Sequence, residues 1–272
     1  MADGMARRGG QYLGNHQRSW LWGRNLVLET LRAGRWPVIE AWIADDVAPA
    51  PSTDYRRLAA GLDLRVDTAA RARLTKLCGA DDHQGFAIRV GPYPYATPAD
   101  LRYAARTPGL WLALDGVMDS FNLGAALRSA EVFGVDGVVL GAAGQTGVNS
   151  QAARSSAGAV NRLRIARVDD LAAALAALRA DGVAVVGTSL DTDFTLDAAP
   201  LDGPLALVVG NEARGLSPET AAVCDRIVRI PQDGASNSLN VAAATAVCLY
   251  EIRRRRRAVT PAPGAATPQS GG

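Results

Sequence analysis

Residues 110–133, LWLALDGVMDSFNLGAALRSAEVF, are the stretch that decides the fold. They begin with the apolar run 110–114, continue through a polar loop at 115–124 and end in a segment with helical periodicity at 123–133. A short apolar run without polar alternation is typical of a strand buried on both faces, and such strands occur in parallel sheets. The stretch therefore predicts a strand, a loop and a helix of a parallel α/β sheet.

The same alternation of apolar runs and helical stretches continues toward the carboxyl end. A second helix is predicted at residues 171–180. Further strands are predicted at residues 137–140, 184–188, 205–209 and 227–230. Strands of this kind, joined by helices, indicate an α/β domain over residues 110–257, with a mainly parallel sheet and helices on both faces.

A smaller α/β unit is predicted upstream, over residues 21–90. Its predicted helices are at residues 25–33, 54–60 and 69–77, and its predicted strands at 39–44, 64–66 and 86–90. Residues 91–98, GPYPYATP, cannot continue a helix or a central strand, because proline lacks the N–H donor and restricts the residue before it. Residues 91–109 are therefore predicted to be a linker. Residues 1–20 and 258–272 are poor in apolar side chains and are predicted to be disordered tails.

The composition excludes several classes of protein. Hydrophobic residues make up 48% of the 272 residues, as in a globular chain with a sizeable core, and the net charge of +2 favours no polyanionic partner by itself. No apolar run is long enough to cross a bilayer, and the amino end carries no apolar segment typical of a secretory signal. The three cysteines, Cys78, Cys224 and Cys248, are too widely spaced for a disulfide framework or a zinc site. We expect a soluble, cytoplasmic protein that binds neither membrane nor metal.

The first of three unusual polar loops spans residues 115–124. Ligands of parallel sheets bind at the carboxyl ends of strands, and this loop follows the first predicted strand of the large domain. Asn122 is predicted to cap the following helix, and Arg128 to lie on its early turns, where the guanidinium can face the strand ends. The alternative is a capped helix with a solvent-exposed arginine.

The other two loops follow later strands. Residues 210–216, GNEARGL, place Gly210, where a ligand can approach the backbone closely, beside the carboxylate of Glu212. Residues 230–240 carry many small polar side chains, as a polar organic ligand requires, although a surface turn would have the same composition. Neither loop is a GxGxxG or GxxxxGK[ST] motif, which argues against a nucleotide-dependent oxidoreductase.

Taken in order, the loops resemble the three signature motifs of the SpoU (TrmH-type) branch of the SPOUT methyltransferases. Those motifs read roughly DxxxDPxNxGxxxRxAx, GxEGxGL and IPMxGxxxSLNV, and this chain has DGVMDSFNLGAALRSAE, GNEARGL and IPQDGASNSLNV. Residues 155–159, SSAGA, also resemble a family segment. Upstream, residues 23–29 and 83–85 resemble the ends of the small RNA-binding domain of members that methylate guanosine in 23S ribosomal RNA.

The resemblance implies a carboxyl-terminal trefoil knot that holds S-adenosyl-L-methionine, and transfer of its methyl group to a ribose 2′-hydroxyl, most simply in 23S ribosomal RNA. A transfer RNA target and a catalytically inactive RNA-binding module are the alternatives. The family's cofactor contacts fall on Gly210, Ile230 and Leu239. Its active-site polar residues fall on Asn122, Arg128, Glu212, Ser238 and Asn240.

The roles expected from this resemblance follow from side-chain chemistry. A guanidinium stays protonated in proteins, so Arg128 is predicted to stabilise charge rather than to abstract a proton. Ser238 and Asn240 are predicted to orient the ribose or Arg128, and Glu212 to steer the arginine or the cofactor ammonium. Three departures from the family pattern, Ser120, Gln232 and Ala213, are expected to affect loop geometry.

Three further features have expected roles. His83 has no evident catalytic partner and is interpreted as structural or RNA-contacting. The run 253–257 is either a solvated helix end or a contact to RNA phosphate. The closing helix at 239–252 is apolar around most of its circumference and must be buried. That pattern, with the resemblance, predicts a homodimer, although burial within one subunit would explain it equally.

Overall fold

The computed structural model describes residues 19–103, 107–234 and 238–259. Most of the two predicted tails, residues 1–18 and 260–272, lies outside the described residues. The few tail residues that are described belong to regular structure: Trp20 starts a strand, and residues 258 and 259 end the last helix. Among the described helices, none is long and apolar enough to span a membrane.

Residues 20–90 form a four-stranded sheet with three helices. The strands are β1 (Trp20–Trp22), β2 (Val38–Ala44), β3 (Val66–Ala69) and β4 (Phe86–Val90), in the order β1-β4-β2-β3. Only β2 and β3 are parallel. The helices are α1 (Arg24–Ala33), α2 (Pro49–Ala60) and α3 (Arg71–Cys78). Buried side chains of α1 and α2 pack on one face of the sheet and those of α3 on the other.

Residues 110–228 contain a six-stranded sheet in which each pair of neighbouring strands is parallel. Its order is β10-β8-β9-β5-β6-β7. The strands are β5 (Leu110–Asp115), β6 (Gly137–Gly141), β7 (Ile165–Val168), β8 (Ala184–Thr188), β9 (Leu205–Gly210) and β10 (Arg226–Val228). The predicted parallel sheet is confirmed.

Helices cover both faces of this sheet. They are α4 (Pro98–Tyr103), α5 (Ser120–Val132), α6 (Ser150–Ser155), α7 (Leu171–Ala180), α8 (Pro218–Val223) and α9 (Val241–Val259). Helices α5, α6 and α9 contribute buried side chains to one face, and α4 and α7 to the other. The central strands β5, β6 and β9 are therefore buried on both faces, which explains their continuous apolar sequences.

Several elements were not predicted, for identifiable reasons. Strand β7, Ile-Ala-Arg-Val, is an edge strand, and exposed Arg167 interrupts its apolar run. The predicted linker contains α4 and an isolated parallel bridge between Ala96 and Ala166. Ala69 ends β3 instead of starting a helix, and α2 begins five residues earlier than predicted because Pro49 suits a first helical turn.

The arginine run 253–257 is largely engaged by its own chain. Arg254 and Arg255 bond to Glu251, and these guanidinium groups, Arg254 foremost, lower the pKa of that carboxyl to about 2. Arg253 donates to the carbonyls that follow α5. Buried Arg256 donates to the carbonyls of Pro108, Gly109, Leu201 and Gly203. The run therefore mainly stabilises the end of α9 against neighbouring loops.

His83 is a structural residue. It is 1% exposed, its Nδ1 accepts from Gly85 N at 3.0 Å, and its Nε2 lies 3.3 Å from the Thr75 hydroxyl. The neighbouring Gln84 side chain accepts from Arg24 N at the start of α1. Residues 23–29 and 83–85, which were singled out together in the sequence, thus meet at one end of the smaller sheet.

Burial lowers the pKa of His83 below its ordinary value of 6.5. A depressed folded-state pKa contributes stability that is complete above the unfolded value and is lost as pH falls through the folded value. The free energy of unfolding, measured with urea, should therefore fall as pH drops below 6.5. A His83→Gln variant should lose less over the same interval. Equal losses in both proteins would contradict this assignment.

Candidate active site

A cavity of about 390 Å³ lies at the carboxyl ends of β8, β9 and β10 and the start of α9. Its walls include five of the residues predicted from the sequence: Gly210, Glu212, Ile230, Ser238 and Leu239. The remaining three, Asn122, Arg128 and Asn240, are not part of its lining. The second and third loops therefore form the cavity, and the first loop lies outside it.

The sheet register sets the first loop beside the second. Asp115, the last residue of β5, pairs with Gly210, the last residue of β9. The Asp115 carboxylate accepts from Ser217 N at 2.8 Å and from the Ser217 hydroxyl at 2.9 Å. These two hydrogen bonds hold the residue that follows the second loop against the start of the first loop.

The first loop ends at a helix that Asp119 caps, not Asn122. The Asp119 carboxylate accepts from Asn122 N at 2.8 Å, and α5 starts at Ser120. The predicted cap was therefore wrong: Asn122 lies inside the first turn. Because Asp119 satisfies the helix start, the Asn122 amide is available for contacts outside its own helix.

Asn122 joins the three loops through a chain of hydrogen bonds. Its Nδ2 donates to Glu212 Oε1 at 2.8 Å, and its Oδ1 accepts from Asn240 Nδ2 at 2.9 Å. The Asn240 carbonyl oxygen Oδ1 in turn accepts from Ala242 N and so caps α9. Glu212 was expected to steer Arg128 or the cofactor ammonium, and Asn240 to orient the ribose or Arg128. In the structure both side chains contact Asn122.

Arg128 lies on the exposed side of α5 and does not line the cavity. Within the described residues it makes no hydrogen bond or ion pair. Its neighbours at helical spacing on that face are also exposed: Phe121 is 59% and Val132 67% accessible. The expectation that this guanidinium faces the strand ends is therefore not met within one chain.

Gly210 is required by the turn of its own loop. A β-carbon there would lie 2.3 Å from Gly215 C and 2.6 Å from Leu216 N. The loop closes on itself because Asn211 and Gly215 exchange two backbone hydrogen bonds, each 2.9 Å long. Gly210 thus lets the backbone of residues 215 and 216 approach it closely. The sequence had suggested that a ligand would approach there instead.

The family model for the SpoU rRNA methylase family matches residues 109–250, and the model for the RNA 2′-O ribose methyltransferase substrate-binding domain matches residues 20–96. This chain belongs to the SpoU rRNA methylase family. A tRNA/rRNA methyltransferase of Mycobacterium avium is 40% identical over 86% of this chain and 77% of its own length. The chain is accordingly an RNA methyltransferase.

Solved structures of SpoU enzymes have the same architecture. AviRb from Streptomyces viridochromogenes is 26% identical, with a TM-score of 0.74 over 88% of this chain and 90% of its own. It has also been crystallised with the cofactor AdoMet. An AdoMet-bound rRNA methyltransferase from Sinorhizobium meliloti is 27% identical, with a TM-score of 0.76 over 87% of each chain.

The structure accounts for two departures from the SpoU motifs. Ser120, where proline is usual, accepts from Asn149 Nδ2 at 2.8 Å and lies 3.1 Å from the Thr146 hydroxyl, so hydrogen bonds fix the loop. Ala213 does not need the left-handed conformation, because Gly215 adopts it with φ +69°. The third departure, Gln232, is exposed and lines the cavity.

Two supporting residues of this SpoU site were missed in the sequence. Asn211 donates from Nδ2 to the Gly116 carbonyl at 2.7 Å, and its Oδ1 accepts from Ala213 N at 2.9 Å. Buried Gln145 accepts from Val117 N at 2.7 Å. Both amides hold the first loop against neighbours distant in sequence. An asparagine that follows a strand-end glycine was the available signal for the first, and none marked the second.

A second cavity, of about 720 Å³, lies along the same edge of the sheet, at the ends of β5, β6 and β7. It adjoins the first cavity at the 211–216 loop. Arg214 lines both, and its guanidinium makes no ion pair within the described residues. The edge therefore offers two adjacent openings with an available cation between them. In those residues no group of three or more His, Cys, Asp or Glu side chains could hold a metal ion.

Proposed function

We propose that this chain transfers a methyl group from S-adenosylmethionine to a ribose 2′-hydroxyl of 23S ribosomal RNA. The observation that carries the proposal is the hydrogen-bonded chain from Asn240 through Asn122 to Glu212, at the cavity that Glu212 lines. It joins the three SpoU motifs around one opening. The substrate-binding model matched at residues 20–96 supports RNA as the substrate.

The cavity fits the cofactor in size and chemistry. A volume of about 390 Å³ lies within the range of small-molecule sites, and its lining combines apolar and polar residues. Gly210, Ile230 and Leu239 would hold S-adenosylmethionine, partly through backbone groups and partly through apolar contact. When bound, the cofactor supplies an electrophilic methyl group.

The polar side chains prepare the acceptor. The amides of Asn122 and Asn240 are already held by each other and by Glu212, so they can orient a ribose hydroxyl without rearranging. Ser238 adds a hydroxyl at the cavity wall. Arg128 would bind a phosphate and stabilise the charge that develops on the ribose oxygen.

A homodimer is part of this proposal, because α5 and α9 leave one face uncovered. Phe121 and Val132 on α5, and Val247 and Tyr250 on α9, are between 42% and 67% exposed. Phe133 at the end of α5 makes an edge contact with Tyr250, so the two rows adjoin. The apolar circumference of α9 predicted that this helix is buried on all sides. A second copy packed on this face would bury its exposed apolar side chains. It would also place Arg128 beside the second copy.

Light scattering at micromolar concentration should give twice the monomer mass. A Val247→Glu substitution should shift the protein toward the monomer, because it places a carboxylate in the apolar contact. Ile39→Glu, at a 50% exposed position of the smaller sheet, is the matched control and should leave the mass unchanged. A monomeric wild-type chain, or equal masses for both variants, would contradict the dimer.

Two finer points remain predictions from the resemblance. The trefoil knot is implied by the resemblance to the SpoU family. Selection of RNA by residues 20–96 is supported by the matched domain model.

The proposed function is tested by calorimetry with S-adenosylmethionine, followed by incorporation of labelled methyl groups into 23S ribosomal, 16S ribosomal and transfer RNA. We expect incorporation into 23S ribosomal RNA. Labelling of transfer RNA instead would support the alternative target. Cofactor binding without labelling of any RNA would support an inactive binding module.

A further inference from the structure

The segment 155–163 is not used by the cavity or by the motif network. Its first part is the SSAGA stretch that the sequence singled out, and it begins at the last residue of α6. In the fold it lies between the smaller sheet unit and helix α5. We call residues 155–163 the docking segment.

A buried polar pair joins the docking segment to helix α1. Asn161 Nδ2 donates to the Thr30 hydroxyl oxygen at 3.0 Å, and that hydroxyl donates to the Leu26 carbonyl at 2.8 Å. Thr30 is fully buried and Asn161 is 4% exposed. Burying two polar side chains between units costs free energy unless each is paired, so their pairing favours one arrangement of the units over its alternatives.

Further contacts surround this pair. Arg162 forms an ion pair with Glu29, and Arg35 donates to the Leu163 carbonyl at 2.9 Å. Gly158 adopts φ +81° against Glu29, whose Oε2 would lie 2.1 Å from a β-carbon at that position. The left-handed φ of this residue favours glycine, whereas the flexible Glu29 side chain could move away from a β-carbon.

The other end of the docking segment contacts the helix that carries Asn122. A β-carbon added to Gly124 would lie 1.8 Å from the Ser155 hydroxyl and 2.5 Å from the Ala152 carbonyl oxygen. Helices α5 and α6 therefore pack closely at this glycine. Ser155 Oγ donates to the Gln151 carbonyl at 3.0 Å within α6 and also lies 3.3 Å from the Ser120 carbonyl oxygen. A displacement of the docking segment would therefore be passed to the first turn of α5.

Arg154, the residue before the docking segment, makes a second connection between the units. Its guanidinium lies 4.1 Å from the ring centroid of Trp22, and it forms an ion pair with Asp82. Trp22 Nε1 donates to the same carboxylate at 2.7 Å. Trp22 and Asp82 belong to the smaller unit, and Arg154 to α6.

From these contacts we infer that the docking segment holds the substrate-binding unit in one orientation on the catalytic unit. Thr30, Asn161 and Arg154 are then positioning residues for RNA methylation: they set where bound RNA meets the Asn122 network. The inference rests on the proposed function for its RNA substrate, but the fixed orientation does not depend on it.

Thr30→Val tests the buried pair in the full-length chain, with Thr30→Ser as the matched control that keeps the hydroxyl. Valine leaves the Asn161 amide buried without its partner, so kcat/KM for 23S ribosomal RNA should fall about tenfold or more, mainly through KM. The affinity for S-adenosylmethionine should stay within about twofold, because the cavity lies outside this interface. Thr30→Ser should behave as wild type.

Hydrogen exchange gives a readout that needs no activity. Peptides covering residues 24–33 and 155–163 should exchange faster together in Thr30→Val, and peptides covering β9 should not change. Arg154→Gln changes a partly exposed side chain, so this variant should fold normally. We expect it to have a smaller effect in the same direction. Wild-type KM and wild-type exchange in both variants would overturn the inference. If the wild-type chain methylates no RNA but the two variants show the exchange changes, only the proposed function would be overturned.

Discussion

Replacing Arg128 with alanine should reduce methyl transfer by a factor of about 10² or more, the effect typical of losing a preorganised charge-stabilising group. S-adenosylmethionine affinity should stay within a few-fold, because Arg128 does not line the cavity. Within the described residues this guanidinium has no partner to stabilise, so its loss should not unfold the helix. Initial rates at saturating RNA and calorimetry with the cofactor measure the two effects separately.

Arg128→Lys should recover little of the lost rate. A lysine ammonium is a point charge, whereas the guanidinium fork can contact phosphate and ribose together. Arg179→Ala, which removes an exposed arginine from α7, is the matched control and should keep wild-type turnover. Near-wild-type turnover of Arg128→Ala would leave Arg128 as a surface residue of a capped helix.

Gly210→Ala should abolish S-adenosylmethionine binding at concentrations that saturate the wild-type chain. The new β-carbon would lie 2.3–2.6 Å from backbone atoms of Gly215 and Leu216, and backbone cannot move aside as a flexible side chain can. The 211–215 turn must open, which removes the wall that the proposed cofactor site shares with Glu212.

Gly203→Ala is the matched control for this substitution. A β-carbon at Gly203 would meet no heavy atom within 4 Å, so this variant should bind the cofactor as the wild type does. Calorimetry on both variants, with circular dichroism to verify folding, makes the comparison. Wild-type affinity in a folded Gly210→Ala protein would show that the turn does not shape the cofactor site.

The large sheet could be predicted because burial on both faces leaves a continuous apolar sequence. Strand β9 and helix α7 show this: their predicted bounds agree with the structure to within one residue. Two edge strands, β1 and β7, could not be predicted in this way. Strand β7 carries a charged side chain on its solvent side, and β1 is too short for any periodicity.

The sequence predicted which motifs would meet, but not the contacts between their side chains. Glu212, Asn122 and Asn240 do come together, yet the sequence could not show that they bond to one another and not to Arg128. The helix cap was assigned to Asn122, but Asp119 suits that position as well, and only the backbone path decides between them. The roles of Thr30 and Asn161 depend on a contact between residues far apart in the sequence, which no local pattern reveals.

The central claim, methylation of a ribose 2′-hydroxyl, is tested most directly by the chemical position of the transferred group. The 23S ribosomal RNA would be incubated with the wild-type chain and methyl-labelled S-adenosylmethionine, then hydrolysed with alkali. Alkaline cleavage needs a free 2′-hydroxyl, so the account predicts that the label remains in alkali-resistant dinucleotides. Label released in mononucleotides, which indicates a methylated base, would contradict it.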